Sequence, residues 1–410
     1  MRGQNKNALF SGLFFFMVLF SLFVMRPFRS AVAAQIGTAD LTFFLFLVVL
    51  VMLFANFIYS AVLSRIKESR LVLYIYGFFI LNLVVFAYLN FYYESNYALG
   101  ATFYVWYNIF NFFVVSIFWA KTVNCFDRAE GNKFFGIISA FGSAGAFIGS
   151  RTVSAYLTDA PVMAITLSLA ALMLAIFFSS KLKSTNITKI EKKDISIDLV
   201  DQINQVKNNT LVQKLLTYAF IWTCCSTALY FFSLEIINKY TNDIVEQRAI
   251  FADADSLVTP ITFFSQILIT RFLLESRFFG LRFVLGIYGV FFIIAYLMMA
   301  GHFADFLFTG TGVLLFLIIS ALMRPFEYAI NKPARETVYT TLKKSEKYRS
   351  TVFIDTFINR FGDASGGLLF NILLTLGLAL AVAPLAILPL ALILSGFGVN
   401  ISKSVKEVKS

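Results

Sequence analysis

Apolar residues run along this chain in long unbroken blocks rather than in alternation. The blocks predict helices at 9–28, 41–64, 71–92, 99–120, 134–156, 161–180, 212–236, 249–272, 280–301, 304–325, 350–376 and 378–400. Each is close to the roughly 20 residues that a helix needs to cross the hydrocarbon of a bilayer. A transmembrane β-barrel would alternate apolar and polar positions over short segments, and a run such as Leu41 to Leu63 does not. The longest polar stretch, 181–210, follows the sixth block, so the pattern divides six and six.

Composition supports a membrane protein. The 410 residues are 59% hydrophobic, include 50 Phe and have a mean hydropathy of +0.78, well beyond a water-soluble chain. The net charge of +11 is read as topology rather than as affinity for a nucleic acid polymer. With the N-terminus inside, 27 of the 34 Lys and Arg fall in cytoplasmic segments, Arg335 among them. Four fall outside (Arg29, Arg151, Lys239, Arg248) and three within spans (Arg26, Arg324, Arg360). That imbalance predicts a multi-pass protein of the plasma (inner) membrane with both termini cytoplasmic. The first block and Ala31-Val32-Ala33 imitate a signal peptide, but Arg26 and Arg29 intervene, so the helix is expected to be retained. Three cysteines and one histidine make neither a disulfide framework nor a four-ligand zinc site, and no hydrolytic constellation appears. No enzyme activity, metal or cofactor is therefore expected.

A short internal repeat pairs the fifth block with the eleventh. Ile138-Ser139-Ala140-Phe141-Gly142-Ser143-Ala144-Gly145 and Ile358-Asn359-Arg360-Phe361-Gly362-Asp363-Ala364-Ser365 share Ile, Phe, Gly and Ala at matching offsets. Basic residues after the second and eighth blocks (Arg65, Lys67, Arg70; Arg271, Arg277, Arg282) agree with the same pairing. A parallel repeat of six helices is the plan of carriers built from two halves. The expected class is thus an all-α membrane protein with twelve transmembrane helices, similar to the major facilitator superfamily. Its parts are an N-terminal bundle (1–180), a cytoplasmic linker (181–211), a C-terminal bundle (212–402) and a tail (403–410).

A charge at membrane depth is costly and usually faces a cavity or a partner. Arg26, Arg29, Glu235, Arg360 and Asp363 are the candidate substrate-binding residues, and Asp255, Asp355 and Lys239 the candidates for coupling or gating. Each also has a structural reading: inter-helix ion pairs, such as Arg360 with Asp363 three residues on, or snorkelling for Arg29, Lys239, Arg324 and Glu327. Gly142, Gly145 and Gly149 in the fifth block, and Gly362, Gly366 and Gly367 in the eleventh, read as helix-packing positions. Asn82, Tyr107, Asn108 and Asn111 either line a cavity or bond between helices.

Several of these residues carry a family resemblance. Pro333-Ala334-Arg335-Glu336-Thr337-Val338-Tyr339, Ile354-Asp355 and Arg360-Phe361-Gly362-Asp363-Ala364-Ser365-Gly366-Gly367 resemble, in this order, motifs of the ATP/ADP translocases of plastids and intracellular bacteria. Met25-Arg26-Pro27-Phe28-Arg29, Phe118-Trp119 with Lys133-Phe134, and Glu235 with Lys239 are similar to three further places in that family. The resemblance implies a twelve-helix carrier exchanging nucleotides or similar phosphorylated anions, with Arg29, Glu235 and 360–363 at its site. The chain departs from the pattern at Arg29 (a Lys in the family), Ser30 (an Asp) and Asp363 (a basic residue). The expected partners are a small anionic substrate, the bilayer, and a proton or counter-substrate. An exporter of uncharged or cationic solutes, and a non-transporting membrane scaffold, are the alternatives.

Overall fold

A computed structural model describes residues 2–65, 68–92, 96–126, 128–183, 209–269, 280–342, 350–351 and 353–409. Most of the predicted linker 181–211, together with Lys67, Arg271 and Arg277, lies outside the described residues. The described chain is helical: α1 (Arg2–Ile36), α2 (Thr38–Arg65), α3 (Glu68–Tyr92), α4 (Tyr97–Val123), α5 (Arg128–Thr152), α6 (Pro161–Ser180), α7 (Thr210–Tyr240), α8 (Ile244–Leu268), α9 (Gly280–Phe303), α10 (Gly312–Tyr339), α11 (Asn359–Thr375) and α12 (Leu388–Lys409). Five-residue π segments follow α5 (Val153–Leu157) and precede α11 (Ile354–Ile358), and a π turn, Phe326–Asn331, interrupts α10.

Local chemistry sets the boundaries. Gly37, at φ +83°, breaks α1 from α2 in a conformation a side chain would resist. The Asn96 side chain accepts from the Leu99 amide to cap α4, and Asn209 caps α7 through the amides of Leu211 and Val212. Pro161 sits at the start of α6, where its missing N–H costs nothing.

Ten helices among the described residues are long and apolar enough to cross a membrane. The other two blocks predicted as spans also form helices. However, α8 carries Asp253 and Asp255, and the α-helical part of α11 is 17 residues with Arg360 and Asp363. Two boundaries differ from the expectation. Helix α1 runs on to Ile36, so Arg26 and Arg29 lie inside it rather than at its close. The tenth block does not end at 325: α10 continues to Tyr339, and Arg335, counted from sequence as a loop charge, is 6% exposed. The buried partner that permits this is Glu327, described below.

The chain forms two compact units that are not consecutive in sequence: unit 1 is 1–36, 55–195 and 243–260, and unit 2 is 37–54, 196–242 and 261–410. In unit 1, α1 packs on α4, α5 and α6, and α3 packs on α4 and α6. Unit 2 repeats the pairings six elements later, with α7 on α10, α11 and α12, and α9 on α10 and α12. Glycines make the closest crossings. A Cβ on Gly145 would run into the carbonyl oxygen of Phe16 in α1, and one on Gly366 into that of Cys224 in α7. Aromatic rings fill both interiors, with Phe15 stacked on Phe118 at 4.2 Å in unit 1 and Phe232 against Phe370 at 4.8 Å in unit 2.

Side-chain hydrogen bonds also tie α1 to the residues just after α6, and α7 to α12. In unit 1 the Asn7 amide donates to the Lys183 carbonyl (2.9 Å) and accepts from the Lys183 N–H (3.3 Å). In unit 2 the Lys214 ammonium donates to Asn400 Oδ1 (3.1 Å) and Ser404 Oγ (2.7 Å).

Candidate functional site

Unit 1 gathers its charges where α1 meets α4 and the first half of α8. Pro27 cannot donate to the carbonyl of Phe23, which loosens the α1 ladder beside Arg26. Arg26 Nε lies 3.6 Å from Asp255 Oδ2, and its guanidinium stands 5.1 Å over the Phe23 ring. At that separation the attraction is ionic rather than a tight hydrogen bond. The Asp255 side chain is 3% exposed and that of Arg26 26%, so the carboxylate is sunk in the unit and the cation is half-buried.

One turn along α1, Arg29 lies 4.5 Å over the Tyr104 ring and donates to Tyr104 Oη (3.2 Å) and Asn108 Oδ1 (3.3 Å). The Asn108 amide is oriented for this by its own bond to the Tyr104 carbonyl (2.8 Å). Arg248, read from sequence as an outside charge, stands 4.9 Å over the Phe28 ring and donates to the Thr158 carbonyl (3.0 Å). Asp253 is different: it is exposed, accepts from Ser154 and lies 3.7 Å from Arg151, as a surface pair does.

Unit 2 holds the remaining candidates. Arg360 Nη1 donates to Asp363 Oδ2 (3.1 Å) one turn on, and Thr227 Oγ1 donates to Asp363 Oδ1 (2.8 Å). Both carboxylate oxygens are therefore engaged. Glu235 is half-buried in α7, roughly 12 Å along the helix axis from Thr227, and no described residue bonds or pairs with its carboxylate. Lys239, one turn further, is exposed and makes no ion pair with it among the described residues. Asp355 is exposed and accepts from Asn359 (3.3 Å). Of the eight candidates, Arg26 and Asp255 come together in unit 1, and Arg360 and Asp363 in unit 2.

A further buried ion pair among the described residues was not one of these candidates. Glu327 and Arg335 both lie in α10, 7% and 6% exposed, and Arg335 Nη2 donates to Glu327 Oε1. Asn331 donates to Glu327 Oε2 (2.6 Å), Tyr218 donates to Asn331 (2.8 Å), and the Arg335 guanidinium stands 4.8 Å over Trp222. The spacing 327, 331, 335 was a signal in the sequence: a polar residue every four positions is a helical stripe, not a loop.

A cavity lies elsewhere. A groove of about 650 Å³ runs between α3 and α4, lined by Val85, Phe86, Leu89, Leu99 and others, and Trp106 Nε1 donates to Asn82 Oδ1 (2.8 Å) in its wall. It touches none of the charged candidates.

Comparison with solved structures gives the architecture its context. The chain matches the nucleoside transporter NupG with a TM-score of 0.59 at 13% identity, over 100% of both chains. It matches a bacterial homologue of the human lysosomal transporter Spinster, in an inward-facing and unoccupied conformation, with a TM-score of 0.60 at 10% identity, over 99% of this chain and 98% of that one. A variant of the peptide transporter POT in complex with alafosfalin gives 0.63 at 12% identity, over 97% and 94%. No protein-family model matches the chain, and no curated protein matches it by sequence. At these identities the shared feature is the fold alone, which this chain has in common with those three transporters.

Proposed function

We propose that this chain is a secondary transporter with twelve spans, six in each repeat (1–180 and 212–402, joined by 181–211 and ending in the tail 403–410), that moves a nucleotide-like or other phosphorylated or organic anion by alternating access. Its fold is that of membrane transporters, and α8 and α11 become tolerable spans once Asp255 pairs with Arg26 and Asp363 with Arg360. The basic residues put both termini on the cytoplasmic side of the plasma membrane.

The observation that carries the anion is Arg29: a guanidinium inside a spanning helix, laid on Tyr104 and aligned by Tyr104 Oη and Asn108 Oδ1. A guanidinium, planar and always charged, is the group suited to carboxylate or phosphate oxygens. The resemblance to ATP/ADP translocases points the same way. At 360–363, where that family is basic, this chain has an arginine already paired with an aspartate, which favours a substrate carrying less charge than ATP. Exchange for a second anion, or coupling to a proton, would drive the cycle, with Glu235, Asp255 and Asp363 as the groups that change partners. The test is uptake into proteoliposomes of labelled nucleoside phosphates and organic phosphates. Movement that Arg29→Gln abolishes is the expected result; no movement or binding of any anion would end this reading.

Glu235 supports a second reading. A half-buried carboxylate in a spanning helix, with no described partner, suits a cationic solute or a proton. An exporter of uncharged or cationic molecules would bind amphipathic cations and not organic phosphates in a thermal-shift panel.

A further inference from the structure

The groove between α3 and α4 takes no part in the transport proposed above. Its walls are one face of each helix: Asn82, Phe86 and Leu89 recur along α3, and Leu99, Thr102 and Trp106 along α4, at the three- and four-residue spacing of neighbours on a helix surface. Residues 82–89 and 99–106 each span about 10 Å. Phe86 and Trp106 are buried in its floor with ring centroids 5.0 Å apart, and Trp106 is stacked on Phe110 at 4.8 Å.

Hydrogen bonding within these walls is internal. Trp106 Nε1 donates to Asn82 Oδ1 (2.8 Å), and Asn82 Nδ2 donates to the Phe78 carbonyl (2.9 Å). The middle of the groove therefore presents hydrocarbon and rings, where a polar solute would give up water without compensation. Polar atoms return at one end, where Asn96 Oδ1 caps α4 through the Leu99 amide (3.1 Å) and Thr102 is exposed. A groove that is apolar along its length and polar at one end suits an amphipathic molecule.

The rim narrows the choice. Val85, in the lining, is 55% exposed, and Leu81 and Tyr88 on the same stripe of α3 are exposed as well. This helix is long and apolar enough to cross a membrane, and it packs mainly on α4 and α6. The groove is thus continuous with the surface that α3 turns to lipid. A hollow of about 650 Å³ left empty there would forfeit dispersion contacts on every wall, and the matter available at that depth is acyl chain. Tyr88 and Tyr92, 4.7 Å apart, and Tyr97 stand toward the same end as Asn96, as in an interfacial aromatic belt.

We propose that this groove is a lipid site, holding one acyl chain of an outer-leaflet phospholipid against Phe86 and Trp106, with the glycerol ester region at Asn96 and Thr102. Arg70 and Lys121 stand at the far ends of α3 and α4, and basic residues mark the cytoplasmic side, so the polar end of the groove belongs to the outer leaflet. The Asn82 bond and the Phe110 stack hold Trp106 in place, so the lipid meets a surface already formed and only its own freedom is lost. That separates it from lipids that merely surround the protein. The site requires a bilayer and no particular substrate, so it stands apart from the anion reading.

The test uses the purified full-length protein. Native mass spectrometry should find one phospholipid retained per protein after detergent washing that strips the rest. Ala98→Phe, which puts a ring into the groove, should lose that lipid, whereas Leu50→Phe, on an exposed face of α2, should keep it. Added phospholipid should raise the melting temperature of the wild type by about 2–4 °C and leave that of Ala98→Phe unmoved. Each protein is compared with its own lipid-free value, so a weakened fold does not imitate this result. In vesicles of phosphatidylcholine brominated at mid-chain, tryptophan emission should be quenched, and Trp106→Phe, which leaves Trp119 and Trp222, should remove most of the quenching. Dilution into unbrominated phosphatidylcholine should restore the wild-type emission slowly. Lipid retention by Ala98→Phe equal to that of the wild type, or emission that recovers as fast as the vesicles mix, overturns the proposal. Retention of a fatty acid alone overturns the phospholipid assignment.

Discussion

Glu327 and Arg335 meet across a π turn of their own helix. Eight residues advance an α-helix by two turns and about 80°, which would leave these side chains on different faces. The π turn at Phe326–Asn331, in which the Lys332 N–H reaches back to the Glu327 carbonyl, absorbs about one residue and returns them to within about 20°. The backbone irregularity and the buried ion pair are thus one feature, since either alone would be unfavourable.

Removing one partner should therefore cost far more than removing both. Glu327→Ala leaves a buried cation and should destabilise the protein by about 3–5 kcal/mol, whereas Glu327→Leu with Arg335→Met should recover most of that loss. Thermal unfolding in detergent measures it, and a double variant less stable than either single one would contradict the account.

The glycine crossings make a second prediction. Gly145→Val should disrupt unit 1, because its Cβ meets the Phe16 backbone rather than a movable side chain, at a cost of about 1–3 kcal/mol or more. Gly77→Ala, in α3, has open space around it and should be neutral or stabilising by up to about 1 kcal/mol. Equal melting temperatures for the two variants would show that close packing of α1 on α5 is unimportant.

Arg26 and Asp255 should act as one unit in transport. Arg26→Gln and Asp255→Asn should each reduce initial uptake by about tenfold or more, and the double variant should be no slower than the worse single, with a coupling energy of at least about 1 kcal/mol. Asp253→Asn, two residues away but exposed, should transport normally. Additive losses at 26 and 255 would mean that the two residues serve separate purposes.

Glu235 separates the coupling schemes. Glu235→Gln should abolish the part of uptake driven by a pH gradient while leaving substrate exchange at equal pH largely intact. Unchanged gradient-driven uptake would remove Glu235 from proton coupling and leave it a role in solute contact.

Much of this architecture was legible in the pattern of apolar blocks, and the repeated Phe, Gly and Ala at 138–145 and 358–365 do mark helices that pack alike, α5 on α1 and α11 on α7. What the blocks conceal is which unit a helix belongs to. Nothing in the composition of residues 37–54 or 243–260 ties the first to unit 2 and the second to unit 1. The site was half legible for a related reason. Arg26, Asp255, Arg360 and Asp363 stand out as charges within apolar runs, and Asn108 as a polar residue in one, but Tyr104, which with Asn108 aims Arg29, looks like an ordinary residue of an aromatic helix. Arg335 was mistaken for a loop charge because a charge is read by its distance from the nearest apolar block, and the partner that buries it lies eight residues upstream.

The pairing of Arg26 with Asp255 has a consequence for how the chain is made. Asp255 is synthesised 229 residues after Arg26, and at about 5–20 residues per second that is a delay of roughly 10–50 s. During it, α1 must enter the membrane with Arg26 lacking the carboxylate that later sinks beside it, at a cost of about 2.5–3.5 kcal/mol for an arginine near the helix centre. The long apolar run ahead of Arg26 carries that burden first, and Tyr104 and Asn108 can relieve Arg29 once α4 has emerged. A nascent chain arrested before residue 243 would hold an unfinished unit 1, open to whatever insertion factor or chaperone attends it until the eighth helix arrives.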